Sequence, residues 1–369
     1  MISRSIGRPA DPFDDVARIA VLRGGGLGDL VGALPALAAL RAAYPGAAIT
    51  LLGMPGHAAL LEGRPDSPVD EVVVLPPHPG VRDGETDPDA VEAFCAALRE
   101  RRFDLAVQAH GGGRNSNPFV LRLGARHTVG TRTEDAVPLE RSIPYRYYQH
   151  EVHRWLEVAG LAGALPVALE PALTATAEER VAGRALLGEG PAVVIHPSAT
   201  DPRRRWPAQR FGVVAAALAE RGVAVVVVGD GSDRSIAEEI VRAAHTALPE
   251  PHRGRVRAAA GTLDLRGLVG VLAEADVVLA NDSGPRHIAQ ALGTATVGLF
   301  WFGNAVNAAP FARGDQRILL GWATRCPVCG ADVTQVGWTA ERCPHDPSFL
   351  TDIQPEAVLG EVRSLLAGA

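Results

Sequence analysis

A carboxylate, Asp29, stands inside a glycine-rich loop, RGGGLGDL at 23–30, between an apolar run and an apolar, helix-like stretch. A strand, a glycine turn and a helix usually bind phosphate through backbone amides. A carboxylate does not help such a site to bind phosphate, because both groups are negatively charged, but it can take a proton from an attacking hydroxyl. The structural alternatives are a turn that brings the helix close to the sheet, and a helix cap or dipole partner made by Asp29. The spacing does not fit G-x-G-x-x-G, because Val31 or Asp29 stands at the third glycine.

The anion site is predicted in the second half of the chain, in NDSGPRHIAQALG at 281–293. This stretch ends a strand and opens a helix, so free backbone amides and the positive end of a helix dipole are expected there. A cap role for Asp282 and an ordinary first-turn role for His287 are the structural alternatives. The candidate residues of this turn are Asp282, Ser283, Gly284 and His287.

Two further loops in the second half carry groups that suit a nucleoside diphosphate. HPSATDPRRRWPAQRF at 196–211 follows a strand and has three adjacent arginines. Such arginines are often only solvated charge, but at the carboxyl edge of a parallel strand they are predicted to pair with a pyrophosphate. GDGSDR at 229–234 offers two acids that can accept hydrogen bonds from a ribose diol. The candidates in these loops are His196, Ser198, Arg204, Arg205, Asp230 and Asp233.

A third loop, which begins at His110, is predicted to line the acceptor side of the first half. It carries glycines and polar side chains directly after a predicted strand, although a flexible connection would look the same. Together with the glycines around Asp29, the acceptor-side candidates are Gly25, Gly26, Gly28, His110, Arg114 and Asn115.

The elements that position these loops form two similar patterns. Residues 17–53 and 191–231 each read as a buried strand, a loop, an amphipathic helix and a second strand, which indicates a parallel sheet in each half. Further strands are predicted at 70–75, 103–109, 256–261, 275–281 and 294–300. The prediction is therefore an α/β protein of two doubly wound domains, 1–168 and 169–353. A final helix at 354–369, opened by Pro355, is expected to pack back on the first domain.

Length and charge limit the classes of function. The 369 residues exceed what one core usually holds, and 42 acids outweigh 36 bases, which are all arginines. A net charge of −6 without long basic tracts argues against nucleic acid as the main partner. No apolar run is long enough for a transmembrane helix, and the N-terminal stretch does not have the pattern of a secretory signal, so a cytoplasmic location is expected.

The cysteines cluster near the end of the chain. Cys326 and Cys329 form a C-x2-C pair, followed by Cys343 and His345, while Cys95 stands apart. The four grouped residues are possible ligands of a structural zinc ion, and reduced thiols packed in a loop are the alternative. No catalytic metal is expected, because the group lies outside the motif loops.

Three stretches together resemble glycosyltransferase family 9, whose members include the heptosyltransferases of lipopolysaccharide inner-core synthesis. They are RGGGLGDLVGALPAL, HPSATDPRRRWPAQRF and NDSGPRHIAQALG, in the family's order and spacing. The resemblance implies a GT-B fold, with two Rossmann-like domains facing across a cleft. It also implies an inverting transfer, without a metal or other cofactor, from an ADP-heptose-like nucleotide sugar on the C-terminal domain to an acceptor on the N-terminal domain.

Position by position, the resemblance assigns roles to several residues. Asp29 matches the general base, and the turn at 282–287 matches the donor diphosphate and sugar site. Arg204 stands where the family usually has a lysine, and Asp233 lies near its ribose-binding acid. A nucleotide-sugar 2-epimerase of the same architecture and a non-catalytic nucleotide-sugar-binding protein are the competing hypotheses. Two acceptors are compatible with the sequence: a soluble natural-product intermediate, and a lipid-linked glycan, which would bring peripheral membrane contact.

Overall fold

The computed structural model describes residues 9–334 and 342–368. The chain divides into two compact units between Ala172 and Leu173, close to the boundary predicted after residue 168. Each unit has its own parallel six-stranded sheet with helices around it. The predicted α/β class is therefore confirmed.

The first unit contains six strands whose neighbours are all parallel, in the order β3-β2-β1-β4-β5-β6. The strands are β1 Arg18–Leu22, β2 Ala48–Gly53, β3 Glu71–Val74, β4 Leu105–Gln108, β5 His127–Arg132 and β6 Arg141–Pro144. The helices are α1 Leu27–Ala43, α2 Pro55–Leu61, α3 Pro88–Arg99, α4 Ser116–Leu121 and α5 Glu151–Gly160.

The second unit repeats this arrangement in the order β12-β11-β10-β7-β8-β9. Its strands are β7 Ala192–His196, β8 Ala224–Val227, β9 Val256–Ala258, β10 Val277–Asn281, β11 Ala295–Trp301 and β12 Gln316–Gly321. Its helices are α6 Ala177–Leu187, α7 Ala208–Ala219, α8 Arg234–Ala247, α9 Glu250–Arg253, α10 Leu265–Glu274, α11 Gly284–Ala291, α12 Phe302–Ala308 and α13 Pro355–Leu366, with short 3-10 helices at Pro202–Arg204 and Gly231–Asp233.

Both strand orders have the same consequence for ligand binding. In each sheet the first strand along the chain lies between the second and the fourth, which is the Rossmann order with a topological switch point between strands one and four. Ligands of such sheets bind outside the carboxyl ends of these two strands. The loops after β1 and β4 in the first unit, and after β7 and β10 in the second, are therefore the places to look for chemistry.

Central strands follow from sequence more readily than edge strands. β7 and β10 are buried along their whole length, since helices cover both faces of the sheet, and they are continuous aliphatic runs. The strands β5, β6 and β12 were not predicted, because they carry polar residues, and β6 and β12 lie at sheet edges where a buried face is not required. β9, also at an edge, ends at Ala258 rather than at residue 261.

The final helix corrects one expectation. α13 begins at Pro355, as predicted, but its apolar side packs against α7, β10 and β11 of the second unit. Val358, Val362 and Leu365 are buried in that unit's core, and the burial of three aliphatic side chains fixes the helix there. The apolar face of α13 therefore packs on the second unit, and the expectation that the helix packs on the first domain is wrong for that face.

Among the residues that the structure describes, none of the helices is long and apolar enough to cross a membrane.

Candidate active site

The loop after β1 places Asp29 in the first turn of α1. One carboxylate oxygen, Oδ2, accepts a hydrogen bond from the Gly26 amide at 2.8 Å, so the side chain does cap the helix. The same side chain is half exposed, at 50%. A capping role therefore leaves part of the carboxylate open to a ligand.

Arg23, at the end of β1, holds the other side of this carboxylate. Its guanidinium lies 3.1 Å from Asp29 Oδ1 and also donates to the carbonyl oxygens of Asp29 and Ala109, at 2.9 and 3.0 Å. Arg23 is only 3% exposed, and burial lowers its pKa while the charge of Asp29 opposes the shift. The buried guanidinium of Arg23 thus fixes the position of Asp29 at the switch point.

Glu151, the first residue of α5, completes this group. Its Oε2 lies 3.4 Å from Arg23 Nη2 and accepts a hydrogen bond from Trp155 Nε1 at 2.8 Å. Arg154 also pairs with Glu151, and the Arg23 guanidinium lies over the Trp155 ring at 4.8 Å. Sequence reasoning missed Arg23 and Glu151. The position of Arg23 in RGGGLGDL was an available signal, whereas Glu151 is too distant in the chain to give one.

The glycines of this loop differ in backbone conformation and in what an added Cβ atom would contact. Gly25 has φ +85, and a Cβ there would lie 2.6 Å from Asp29 Oδ2. A Cβ on Gly24 would lie 2.3 Å from the Val81 carbonyl oxygen. Gly26 precedes α1 in extended conformation, and Gly28 lies in its first turn. Gly25 is therefore the residue that lets the backbone approach the carboxylate.

The predicted acceptor-side loop is only partly near Asp29. His110 packs beside Gly24, and its Nε2 lies 3.0 Å from the Gly80 carbonyl oxygen; burial lowers the pKa of its ring. Arg114 is exposed and pairs with Asp135 at 3.5 Å. Asn115 directly precedes α4 and packs over Gly80. The structure gives Arg114 and Asn115 partners other than Asp29.

A second histidine, His57, lies beside the glycine loop and was not predicted. It is 1% exposed, and its Nδ1 accepts from the Met54 amide at 3.2 Å. Burial lowers the pKa of His57 to about 4, although the charge of Asp29 acts in the opposite direction. Two imidazoles with lowered pKa values therefore lie beside the loop that carries Asp29.

In the second unit, the loops after β7 and β10 meet through His196. Its Nδ1 lies 3.0 Å from Ser283 Oγ, and its Nε2 lies 3.9 Å from Asp233 Oδ2. Burial lowers the pKa of His196 to about 4, although the charges of Asp233 and Asp230 act in the opposite direction. The structure thus brings predicted donor residues from three loops together.

Asp282 is the centre of a second set of contacts. Arg204 Nη1 lies 3.1 Å from its Oδ2, and His287 Nε2 lies 3.0 Å from its Oδ1. Arg286 Nη2 donates to His287 Nδ1 at 2.6 Å, so the ring proton lies on Nε2 and points at the carboxylate. Burial alone would raise the pKa of Asp282, but the hydrogen bond of His287 and the charge of Arg204 lower it to about 2.

The three adjacent arginines have separate environments. Arg203 is buried, pairs with Asp201 at 2.5 Å and lies over the Phe349 ring, so its charge is already paired within the protein. Arg205 is exposed and donates to the Ala199 carbonyl oxygen at 2.8 Å. Arg204 lies at the switch point, against Asp282, and is therefore the arginine best placed to meet an anion.

The two acids after β8 also differ. Asp233 is buried, and its carboxylate accepts hydrogen bonds from Ser198 Oγ and from the Asp230 amide. Asp230 is exposed and accepts from the Ser232 amide at 2.7 Å. Both carboxylates accept hydrogen bonds from the protein, but Asp230 is exposed and Asp233 is buried, so Asp230 is the acid more accessible to a ribose diol.

The helix α11 begins at Gly284, directly after Ser283 in extended conformation. Amides of the first turn of a helix have no partner within it, and they point out of the carboxyl edge of the sheet. They lie next to Asp282 in the chain and on the switch point between β7 and β10. This turn is therefore suited to an anion such as a phosphate.

The cysteine group is also brought together. The ligand atoms of Cys326, Cys329, Cys343 and His345 all lie within 4.8 Å of one another. Cys326 is buried, Cys329 is exposed, and the other two are half-buried. Cys95 lies apart, in the core of the first unit.

The comparisons with known proteins agree with this geometry. The family model described as glycosyltransferase family 9 (heptosyltransferase) matches residues 91–329. Lipopolysaccharide heptosyltransferase 2 of Salmonella typhimurium is 26% identical over 366 residues, covering 95% of this chain and 99% of the relative.

Two solved structures share the fold. The E. coli ADP-heptose lipopolysaccharide heptosyltransferase II has a TM-score of 0.72 at 22% identity, covering 95% of this chain and 99% of its own. The family 9 glycosyl transferase of Veillonella parvula has a TM-score of 0.78 at 19% identity, covering 97% and 100%. The two Rossmann-like units are thus those of a GT-B fold, and the chain belongs to glycosyltransferase family 9, the heptosyltransferase family.

Proposed function

We propose that this glycosyltransferase moves a heptose from an ADP-heptose-like donor to a glycan hydroxyl by a single inverting displacement. The observation that carries the proposal is the half-exposed Asp29 carboxylate, held by buried Arg23 at the switch point of the first unit. A carboxylate with one face fixed by the protein and one face open suits a general base. The E. coli relative, an ADP-heptose heptosyltransferase, supports the choice of donor.

On the donor side, the amides at the start of α11 and the Arg204 guanidinium would bind the diphosphate. Both are suited to an anion and lie at the carboxyl ends of β7 and β10. Asp282 would not contact the phosphates, since its own charge would repel them. Its two oxygens instead orient Arg204 and His287 toward the donor.

The nucleoside would bind along the loops that follow β7 and β8. Asp230 is exposed there, so its carboxylate is available to the ribose hydroxyls. Asp233 would act indirectly, because it holds Ser198 and lies beside His196. This assignment moves the ribose contact from the acid that family resemblance favours to its neighbour.

In the reaction, the acceptor hydroxyl loses its proton to Asp29 while its oxygen attacks the anomeric carbon of the donor. The bond from that carbon to the diphosphate oxygen breaks, and ADP leaves with the electron pair. Arg204 and the α11 amides stabilise the charge that develops on the leaving diphosphate. One displacement inverts the anomeric centre, and the charge stabilisation comes from these protein groups without a catalytic metal.

The acceptor is proposed to be a lipopolysaccharide glycan, after the Salmonella relative's printed name, and to belong to the core region, after the family resemblance. A cytoplasmic site of action, with peripheral contact to a lipid-linked acceptor, stays a prediction from sequence.

The test is to incubate the protein with ADP-heptose and lipopolysaccharide-core acceptors, with and without added Mg²⁺. We expect ADP release and a product of inverted anomeric configuration by NMR, at a rate that Mg²⁺ does not change. Retained configuration or a requirement for Mg²⁺ would contradict the mechanism. Epimerised donor without transfer would assign an epimerase, and unchanged donor that still binds would assign a binding protein.

A further inference from the structure

The cysteine group in the second unit has the composition of a metal site. Three thiols and one imidazole, from Cys326, Cys329, Cys343 and His345, lie with all ligand atoms within 4.8 Å of one another. Cys3His is a common ligand set for structural zinc, and its four protein ligands leave no open position for a substrate.

The backbone around the C-x2-C pair forms a tight turn that brings the two sulfurs to one side. The Cys326 amide donates to the Ala331 carbonyl oxygen, and the Gly330 amide donates to the Cys326 carbonyl oxygen, each at 2.8 Å. Gly330 has φ +74, a conformation that favours glycine. The turn is therefore formed by the protein's own hydrogen bonds.

The polar atoms of the group point to a ligand. His345 Nδ1 is buried and, within the part of the chain that the structure describes, has no hydrogen-bond partner. A buried polar atom without a partner destabilises the folded protein, and a bound metal ion would remove that cost. All four cysteines are free thiols, so no disulfide uses the sulfurs.

We propose that Cys326, Cys329, Cys343 and His345 bind one thiolate-preferring transition-metal ion, zinc or iron, in a structural site. The three thiols lose their protons on binding, and His345 coordinates through a neutral ring nitrogen. The ion joins the turn at 326–331 to the segment that begins at Arg342.

This segment supports the loop that carries the proposed donor arginine. The Phe349 amide donates to the Arg203 carbonyl oxygen at 2.7 Å, and Ser348 Oγ donates to the Arg205 carbonyl oxygen at 2.5 Å. The residues on both sides of Arg204 are thus hydrogen-bonded to the chain that follows His345.

Side chains add a second connection between the same two stretches. Arg203 lies over the Phe349 ring at 5.3 Å, and Arg342 Nη2 lies 3.8 Å from Asp201 Oδ1. Asp201 in turn caps the short helix that contains Arg204. The metal ion therefore orders the loop that carries Arg204 through the segment that follows His345, without contacting the nucleotide-sugar donor. This second role rests on the proposed function, whereas the metal site itself does not.

Metal content tests the site independently of any activity. The full chain, without a histidine tag and in reducing buffer, is analysed by mass spectrometry for zinc and iron. We expect about one ion per chain, and the element found identifies the ion. Cys329→Ser and His345→Gln should both lose it, while Cys95→Ser, the matched control in the first unit, should keep it. A wild-type protein without zinc or iron that takes up neither when supplied, or a Cys329→Ser variant with unchanged content, would overturn the site.

ADP binding tests the support of the donor loop. Cys329 is exposed, so its serine variant should keep the circular dichroism spectrum of the wild type. We expect Cys329→Ser to weaken ADP binding by about three- to tenfold, because Arg204 must then be ordered on binding. Unchanged ADP affinity in a metal-free variant would overturn this role. If the wild type does not bind ADP, the proposed function fails, and the metal content still decides the site.

Discussion

The two units have the same strand order but opposite electrostatics at their switch points. In the first unit, the loop after the first strand presents a half-exposed carboxylate, Asp29, with a buried arginine behind it. In the second unit, the carboxylate Asp282 is buried, and the arginine that pairs with it, Arg204, is the more exposed partner. Each switch point thus has an Arg–Asp ion pair, but the more exposed partner is the carboxylate in the first unit and the guanidinium in the second.

This inversion separates fold from function. A doubly wound sheet places its ligand at the switch point but does not decide the charge that the ligand meets. Which partner of the ion pair is buried decides that charge. A site with an open carboxylate favours proton transfer from a hydroxyl, whereas a site with an open guanidinium favours a diphosphate.

The largest expected effect comes from removing the open carboxylate of the first unit. Asp29→Asn should lower the rate of transfer by ~10²–10⁴-fold, because the amide cannot accept the acceptor proton. The affinity for ADP, which the other unit should bind, should stay unchanged by calorimetry. Near-normal turnover of this variant would refute the base assignment.

The open arginine of the second unit should give the converse result. Arg204→Ala should weaken ADP binding ~10- to 100-fold, through loss of a charge-assisted hydrogen bond of ~1.5–3 kcal/mol. Arg221→Ala changes an exposed arginine that donates to the Ala217 carbonyl oxygen of its own helix region; it is the matched control and should bind ADP normally. Equal ADP affinity in both variants would contradict the role of Arg204.

Acid should destabilise both units through one buried histidine each. His57 and His196 have pKa values lowered by burial from 6.5 to about 4. Their pKa values are lower in the folded than in the unfolded protein. The free energy of unfolding is therefore highest above pH 6.5 and decreases as the pH drops toward 4. Between pH 7 and pH 5 each should contribute a loss of about 2 kcal/mol.

Denaturant titrations at the two pH values measure this loss. In His57→Gln and His196→Gln the unfolding free energy should vary less with pH than in the wild type. An equally steep pH dependence in both variants would exclude these rings as its source.

The smallest expected effect separates backbone strain from contact with the base. Gly25 and Gly222 have nearly the same φ, +85 and +86, but only a Cβ at Gly25 would meet another group, Asp29. Alanine at either position should cost roughly 1–2 kcal/mol of stability. Only Gly25→Ala should also lower turnover, since the added methyl displaces the carboxylate. Equal turnover in the two variants would show that Gly25 serves the turn alone.

The sequence was informative where structure and chemistry are local. The loops with Asp29, Asp282 and Arg204 each follow a buried aliphatic strand, and such strands can be identified from their composition. The C-x2-C pair was likewise readable from its spacing.

What sequence could not give are contacts made by distant segments. Glu151 reaches Arg23 only because α5 packs on α1, and the exposure that distinguishes Asp230 from Asp233 depends on how one turn folds. The location of α13 is a similar case, because an amphipathic helix shows that it has an apolar face but not which surface covers it.

The position of α13 also sets an order for synthesis. The first unit is complete at Ala172, so it can fold while the ribosome is still making the second half. The second unit buries Val358 and Leu365 in its core and therefore cannot finish folding until nearly the whole chain has been translated. During that interval the aliphatic faces of α7, β10 and β11 that α13 covers are open to water, and this is when the nascent chain is most exposed to aggregation and chaperone binding.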